Sequence, residues 1–327
     1  MKKTIYIILI FLIILITIFL LIPKNEKQKN NKIKLAEVTH SVFYSPLYVA
    51  IEKEYFKDEN IDIELILTPG ADKVSTAVLS KDVQIGLAGA ESAIYVYEKN
   101  KKDYLQIFCG LTKRDGQFII SKNKEDNFTL ENLYGKEILV GRSSGMPALN
   151  FLNALKNENI DSSKIKINYN IDFASLSGAF IGGTGDYVNL FEPNALKLEQ
   201  EGYGHVVASI GMLSGEMPYT TFYARKSFIE ENHDIIKGFT KAINKGLKFV
   251  KENDEYTIAN IILKQFPDTS LNDLAKIIKR YKDADSYLDN YYISEKLLTN
   301  LEDLLIDYNL LEKYVPYEKI ILNQIIN

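Results

Sequence analysis

Short apolar segments alternate with polar, glycine-bearing loops and helix starts between residues 37 and 93. The apolar segments cover residues 34–38, 61–67 and 83–88, and Pro46 begins a helix after the first of them. Proline at a first helical position loses no intrahelical hydrogen bond. Regular alternation of strand, loop and helix predicts an α/β fold with parallel-type sheets flanked by helices, whose ligands lie at the carboxyl ends of the strands. We therefore expect a small-molecule cleft along these loops.

The remaining pattern predicts two lobes joined by two crossings. Extended segments at 104–111 and 117–121 flank a polar break, residues 112–116, where we place the first hinge. Further strands are predicted at 137–140, 166–169, 187–191, 205–209 and 219–224, and helices after Pro147 and Pro193 and, from their three-to-four apolar spacing, over 235–250, 256–266, 271–284 and 294–305. We expect a discontinuous first lobe, 33–112 plus 222–327, and an inserted second lobe, 113–221.

The first 32 residues differ in character from the rest. Residues 5–22 are apolar at all but two positions. A helix of that length spans roughly 27 Å, close to the thickness of a bilayer's hydrocarbon core. It is longer than the apolar part of a typical signal peptide, and neither a small-x-small cleavage site nor a lipoprotein cysteine follows. We expect residues 1–22 to form a signal anchor, or alternatively a cleaved signal peptide, residues 23–32 to form a polar tether, and the body to lie on the extracytoplasmic face of the cell membrane.

Composition narrows the range of functions. With 46% hydrophobic and 25% charged residues among 327, the chain has enough apolar side chains for two cores. A net charge of −4 argues against nucleic acid as a partner. The single cysteine, Cys109, rules out an intrachain disulfide and a cysteine-rich zinc site. His40, His205 and His233 form no hydrolase or metalloprotease motif, so we expect no catalytic residues, no metal and no cofactor.

Four sequence motifs carry a family resemblance. They are S-P-L-Y-V-A-I-E-K-E-Y-F at 45–56, L-S-K-D-V-Q-I-G-L-A-G at 79–89, L-E-N-L-Y-G-K-E-I-L-V-G at 130–141 and G-T-G-D-Y-V-N-L-F-E-P at 183–193. Over residues 34–250 the chain resembles the substrate-binding proteins of ABC importers for nitrate, sulfonates, taurine and thiamine pyrimidine precursors. Many members place a histidine directly before the first motif, where Tyr44 stands here.

The resemblance implies both a fold and partners. The fold is the two-lobe, type II periplasmic-binding-protein-like architecture, in which a small-molecule ligand is captured between the lobes. The partners implied are an ABC permease and its ATPase subunits, and the receptor itself is expected to be a monomer.

Candidate ligand contacts in the first lobe follow the predicted strands. They are Thr39, His40, Ser41, Phe43 and Tyr44 after the first strand, Gly70 and Asp72 after the second, Ala90 and Glu91 after the third, and Tyr219 at the return strand. Aromatic rings in these loops could sandwich a flat ligand, and the carboxylates could fix an amine. Because the chain has 21 tyrosines, loop position rather than residue type selects these.

Candidate contacts in the second lobe come from two glycine-bearing loops. Gly141, Arg142, Ser143, Ser144 and Gly145 precede the Pro147 helix, whose free N–H groups suit an anion, although Ser144 could simply cap the helix. The second loop contributes Thr184, Asp186, Tyr187 and, after the next strand, Glu192, which could instead cap or pair locally. Its glycines match neither a P-loop nor a dinucleotide motif, so nucleotide binding is not expected.

Two ligand classes stay open. Arg142 and the helix start favour a small organic anion or zwitterion, such as a sulfonate, taurine or nitrate, and we take this as the expected class. The carboxylates and aromatic side chains favour a thiamine pyrimidine precursor or a related heterocycle. A rival of another class is a thiamine-pyrimidine synthase, since such enzymes resemble these receptors. They carry a cysteine-rich iron-binding segment that is missing here, so we predict a ligand-binding protein and not an enzyme.

Overall fold

The structure is a computed structural model that describes residues 31–99, 102–143 and 145–323. The expected signal anchor at 1–22 lies outside these residues, as does most of the expected tether; Asn31 and Lys32 already belong to the first strand. Among the described residues, no helix combines the length and apolarity needed to span a membrane.

The described strands form two five-stranded sheets. They are β1 (Asn31–Glu37), β2 (Ile61–Leu67), β3 (Ile85–Gly89), β4 (Leu105–Thr112), β5 (Gln117–Ser121), β6 (Glu137–Leu139), β7 (Lys166–Asn168), β8 (Tyr187–Phe191), β9 (His205–Ser209) and β10 (Thr220–Arg225). The first sheet has the order β2-β1-β3-β10-β4 and the second β7-β6-β8-β5-β9. The chain thus crosses from the first sheet to the second between β4 and β5 and returns between β9 and β10.

Helices cover the faces of both sheets. They are α1 (Ser45–Glu52), α2 (Tyr55–Asp58), α3 (Ala71–Leu79), α4 (Glu91–Glu98), α5 (Met146–Asn157), α6 (Leu176–Ile181), α7 (Asn194–Gln200), α8 (Ile210–Ser214), α9 (Lys226–Glu231), α10 (His233–Glu252), α11 (Glu255–Ile262), α12 (Leu271–Asp283), α13 (Glu295–Asp307) and α14 (Tyr317–Ile320). The three strand-loop-helix units expected at the start of the body are confirmed as β1 with α1, β2 with α3, and β3 with α4.

Each sheet is mixed, which corrects the expectation of parallel-type sheets. In the first sheet, β10 runs antiparallel to both β3 and β4. In the second, β5 runs antiparallel to both β8 and β9. These two strands are the ones that follow the crossings, so the reversal of direction results from the chain passing between lobes.

The apolar core is continuous from one lobe to the other. In the first lobe, Phe239 of α10 packs against Phe108 and Phe222 of the sheet. Tyr281 of α12 has its ring 5.9 Å from that of Phe118 on β5 of the second sheet. Helix α12 therefore contacts both lobes. The second lobe has a further core of its own around Phe151 of α5.

An ion-pair network joins the two crossings. Lys113 lies in the first crossing, and its ammonium is 2.8 Å from Asp285 and 3.4 Å from Glu216 in the second crossing. Arg114 approaches the same two carboxylates at 3.3 and 3.0 Å. Asp285 follows α12, so the C-terminal helices are tied to the same point.

Candidate functional site

The carboxyl ends of the two sheets face each other across the molecule. Phe43, in the loop after β1, has its ring centroid 6.0 Å from that of Phe191, the last residue of β8. Gln117, the first residue of β5, pairs with Phe191. Glu91 begins α4 directly after the end of β3. The loops expected to bind ligand therefore converge between the lobes at this edge.

Glu91 places a buried carboxylate at the first-lobe side of this edge. Its side chain folds back over Gly89, where an added Cβ would lie 2.0 Å from Oε2. That oxygen has no hydrogen-bond partner among the described residues. Burial raises the pKa of Glu91 to about 7, because desolvation penalises the charged form. Glu91 thus offers an acceptor that the described residues leave unused.

Asp115 places a second buried carboxylate in the first crossing. It is 1% exposed, and its Oδ1 accepts a 2.6 Å hydrogen bond from the main-chain N–H of Gln117. Its Oδ2 has no partner of hydrogen-bonding geometry among the described residues. Burial raises the pKa of Asp115 to about 7, against the opposing effects of the Gln117 amide and the Tyr219 phenol. The sequence pattern did not single out Asp115, because this residue lies within the polar break at 112–116 where we placed the first hinge.

Two neutral side chains were also missed by the sequence interpretation. Gln117 of β5 and Asn189 of β8 are both fully buried, yet no polar atom of either side chain has a partner among the described residues. Both positions fall within segments predicted only as strands. Their fully buried, unpaired amides are visible only once the strands are paired.

Phe43 and Tyr44 are core residues, which corrects the expectation that their rings pack against a ligand. Phe43 is 2% and Tyr44 4% exposed. The Phe43 ring lies 4.9 Å from Tyr281, 5.8 Å from Tyr44, and 6.0 Å from Phe191 and from Tyr219. Glycine is required at position 116, since a Cβ there would lie 2.8 Å from the Phe43 ring. The ring fills the space between the lobes, and its main contacts are other rings.

His40 is held by protein groups instead of being free for a ligand. Its Nδ1 is 2.7 Å from Oε1 of the buried Glu37, and its Nε2 is 2.9 Å from the main-chain oxygen of Gln265. The Tyr48 hydroxyl donates to the other Glu37 oxygen at 2.7 Å. Since both ring nitrogens face acceptors, the doubly protonated ring fits best, and the hydrogen bond to Glu37 raises the pKa of His40. His40 thus ties the β1 loop to the segment after α11.

The other first-lobe candidates divide between rim and core. Thr39 and Asp72 are exposed at the rim, where Asp72 lies over Gly70 in the first turn of α3. Ser41 is buried and accepts a hydrogen bond from the main chain of Phe43. Ala90 is fully buried before α4. None of these brings an unused polar group to the buried edge.

The turn before α5 lies at the correct edge but presents its arginine outward. The Arg142 side chain is 83% exposed, and its nearest charged partner is Asp172 at 3.9 Å. Gly141 has a φ of +78° and the Gly145 N–H donates to the Arg142 carbonyl, so the turn is tight. Ser143 is exposed in this turn, and Ser144 lies outside the described residues. The guanidinium therefore lies apart from the buried carboxylates.

Thr184, Asp186 and Tyr187 lie at the wrong end of β8, and their expected place in the cleft is wrong. They stand at the start of a strand whose carboxyl end forms the site. Thr184 is exposed, and Asp186 accepts a 2.9 Å hydrogen bond from the Glu137 main chain. The Tyr187 hydroxyl donates to Glu125 at 2.9 Å. These three side chains lie at the edge of the sheet opposite the candidate site.

Glu192 follows β8 at the correct edge but is already satisfied by the protein. Its side chain is completely buried and pairs with Arg280 of α12, which also lies 2.5 Å from Glu199. Its second oxygen accepts from the Leu196 N–H at 2.9 Å. Desolvation raises the pKa of Glu192, while Arg280 acts in the opposite direction. Glu192 thus links the second lobe to α12.

The chain matches a known protein family and a named relative. The family model described as "NMT1/THI5 like" matches residues 43–256. YtlA of Bacillus subtilis (strain 168), provisionally named as a binding protein, is 39% identical over 308 residues, which make up 94% of this chain and 92% of YtlA.

Solved structures share the fold at low sequence identity. The alkanesulfonate-binding protein SsuA from Xanthomonas axonopodis pv. citri, bound to MOPS, has a TM-score of 0.69 at 15% identity, covering 89% of this chain and 98% of that one. The periplasmic nitrate-binding protein NrtA from Synechocystis PCC 6803 has a TM-score of 0.59 at 14% identity, covering 77% and 70%. The resemblance drawn from the four motifs is confirmed: the chain has the two-lobed periplasmic-binding-protein-like fold and belongs to the NMT1/THI5-like family.

Proposed function

We propose that the protein is the extracytoplasmic solute-binding receptor of an ABC importer. A ligand would enter between the first lobe, 33–112 plus 222–327, and the second lobe, 113–221, and be delivered to a membrane permease driven by its ATPase. The family, the fold and the names of the structural relatives support this role. The observation that carries it is the pair of buried carboxylates, Glu91 and Asp115, each with one oxygen that has no partner of hydrogen-bonding geometry among the described residues.

The same two carboxylates support one of the two ligand classes over the other. Neither Glu91 nor Asp115 takes part in an ion pair within the described part of the chain, so a hydrogen-bond donor on the ligand would supply the missing partner. An anion placed between them would meet repulsion whenever either carboxyl is ionised. Arg142, which favoured an anion in the sequence, is exposed. We therefore favour an amine-bearing heterocycle, such as an aminopyrimidine, over a sulfonate, taurine or nitrate.

Titration calorimetry with 4-amino-2-methylpyrimidine, taurine and nitrate tests this choice. We expect the parent protein to bind the pyrimidine, and Glu91→Gln or Asp115→Asn to weaken that binding by about 1.5 to 3 kcal/mol, because each removes a charge-assisted hydrogen bond. Arg142→Gln is the control and should bind like the parent, since its side chain is exposed.

Stability against pH gives the same variants a second readout. The two carboxyls have pKa values of about 7 in the folded protein, above the usual 4 or so of an unfolded chain. The folded state therefore holds more protons between these values, and stability should fall as pH rises through this window. Glu91→Gln and Asp115→Asn should each flatten that fall.

In the calorimetry, tighter binding of taurine or nitrate by the parent than by Arg142→Gln would reverse the choice of ligand class. The proposed receptor role would still stand.

We also propose that residues 1–22 anchor the receptor in the membrane. The support is the apolar stretch at 5–22 and the lack of a cleavage signal after it. Sequencing of the mature amino terminus, together with membrane fractionation, checks this. We expect an intact amino terminus in the membrane fraction. A soluble protein beginning near residue 25 would establish the cleaved signal peptide.

A further inference from the structure

Two amide side chains of the second lobe are buried with no hydrogen-bond partner in the described part of the chain. Gln117 and Asn189 are both 0% exposed, and the oxygen and nitrogen of each side chain lack a hydrogen bond to any described residue. Folded proteins pair nearly all such groups, since an orphaned buried polar group is costly. Two whole amides left unpaired on neighbouring strands therefore call for a partner other than the described residues.

Strand register places the two amides side by side. Gln117 pairs with Phe191, and Ile119 pairs with Asn189, across the antiparallel strands β5 and β8. Residues two apart on a strand point to the same face, so Gln117 and Asn189 are diagonal neighbours on one face of the sheet. Diagonal neighbours lie about 7 Å apart, a distance that one small molecule can bridge.

The pair is continuous with the acidic part of the site. The Gln117 N–H donates to Asp115, whose other oxygen is unused. Phe191, opposite Gln117, packs near Phe43 from the first lobe. Gln117 thus lies on the second-lobe side of the same edge to which Asp115 belongs, and Asn189 lies two residues into β8 from that edge, on the same face of the sheet.

A matched asparagine in the same lobe shows how the fold treats an ordinary buried amide. Asn150 of α5 is also 0% exposed. Its nitrogen donates to the Met146 carbonyl at 3.0 Å, and its oxygen accepts from the Ser214 hydroxyl at 2.7 Å. The fold therefore satisfies the buried amide of Asn150, whereas the equally buried amide of Asn189 lacks such hydrogen bonds among the described residues.

We propose that Gln117 and Asn189 form the second-lobe half of the ligand site and read a neutral edge of the ligand. A side-chain amide offers an acceptor oxygen beside a donor nitrogen. It is matched by a group that also has a donor next to an acceptor, such as a carboxamide or a ring nitrogen beside an exocyclic amine. A compact anion has only acceptors and would leave both amide oxygens unpaired. This inference rests on the proposed receptor function and adds the second recognition element to it.

The first test needs no ligand. The melting temperatures of Asn189→Leu and Asn150→Leu are compared on protein unfolded and refolded to remove bound small molecules. The melting temperature of Asn189→Leu should equal that of the parent or exceed it by up to about 2 °C, because the substitution removes an unpaired buried amide. Asn150→Leu should melt several degrees lower, because it breaks two hydrogen bonds. If Asn189→Leu falls as far as Asn150→Leu, its amide is structurally satisfied and the proposal is overturned.

The second test uses 4-amino-2-methylpyrimidine as the probe. Asn189→Leu and Gln117→Met should each bind it about tenfold more weakly than the parent, the loss expected for about one neutral hydrogen bond. Equal binding by parent and variants overturns the amide pair, although the receptor role survives. If the parent does not bind 4-amino-2-methylpyrimidine, the proposed ligand class fails, and the melting comparison still decides whether Asn189 is an unpaired amide.

Discussion

Phe43→Ala is expected to lower the free energy of unfolding of the free protein by about 3 to 5 kcal/mol. The Phe43 ring is 2% exposed and lies among the rings of Tyr44, Tyr219 and Tyr281. It also approaches Phe191 of the second lobe. Removing the ring would open a cavity bounded by both lobes, and large rings cannot collapse into such a space without leaving their own packing.

Urea unfolding measures this loss, with Tyr256→Ala as the control. Tyr256 is 52% exposed, so its truncation should change the free energy of unfolding by about 0.5 kcal/mol or less. The opposite pattern is informative. A Phe43→Ala protein that keeps its stability but loses ligand affinity would mean that the ring is a ligand wall, as the sequence alone indicated.

Arg280→Met should be comparably damaging, at about 3 to 5 kcal/mol. Arg280 of α12 supplies the charge opposite Glu192, whose side chain is completely buried in the second lobe. Without the guanidinium, that carboxylate would remain buried, and among the described residues the Leu196 N–H would be its remaining partner. An uncompensated buried charge is far more costly than a broken surface ion pair.

Three comparisons isolate the buried charge in urea unfolding experiments. Lys279→Met removes the neighbouring lysine, whose pairing with Asp283 is exposed on both sides, and should cost at most about 1 kcal/mol. Adding Glu192→Gln to Arg280→Met should recover part of the lost stability, because the buried charge is then gone.

The third comparison varies the pH. Losing Arg280 also raises the pKa of Glu192 further, so the loss of stability in Arg280→Met should shrink as pH falls and the carboxyl takes up a proton. A deficit that is small, or the same at pH 5 and pH 8, would show that the pair contributes little.

The parts of the fold that depend on local pattern could be predicted from the sequence. The alternation of apolar runs with glycine-bearing loops located β1, β2 and β3 and the helices that follow them. Glu91 was found in the same way, since its position directly after a strand and at a helix start is visible in the chain. Local order along the sequence is enough to say which residues lie at the carboxyl end of a parallel strand.

The parts of the site that depend on strand pairing could not be predicted. Gln117 and Asn189 become neighbours only through the register of β5 with β8. The burial of Phe43 depends on Tyr281, which is distant in sequence. Asp186 and Tyr187 were misplaced because a glycine-rich segment does not reveal whether it precedes or follows the strand that forms the site.

Arg142 illustrates a different limit. An arginine before a helix start is a sound signal for anion binding, but the side chain is long enough to reach solvent instead. Which way it points depends on what else lines the edge, and here the buried acidic side chains include Asp115, Glu91 and the Arg280-paired Glu192. Residue type and helix position together did not determine the electrostatic character of the site.

The central place of β10 in the first sheet has a consequence for the order in which the molecule can be completed. During synthesis β3 and β4 emerge early, but the strand that lies between them comes only after the whole second lobe. Until then the eight residues of β4, all buried in the finished protein, have no sheet partner on that side. The second sheet, by contrast, draws its strands from the continuous stretch β5 to β9. The inserted lobe can therefore form its sheet first, and the lobe that begins the body is the last to close.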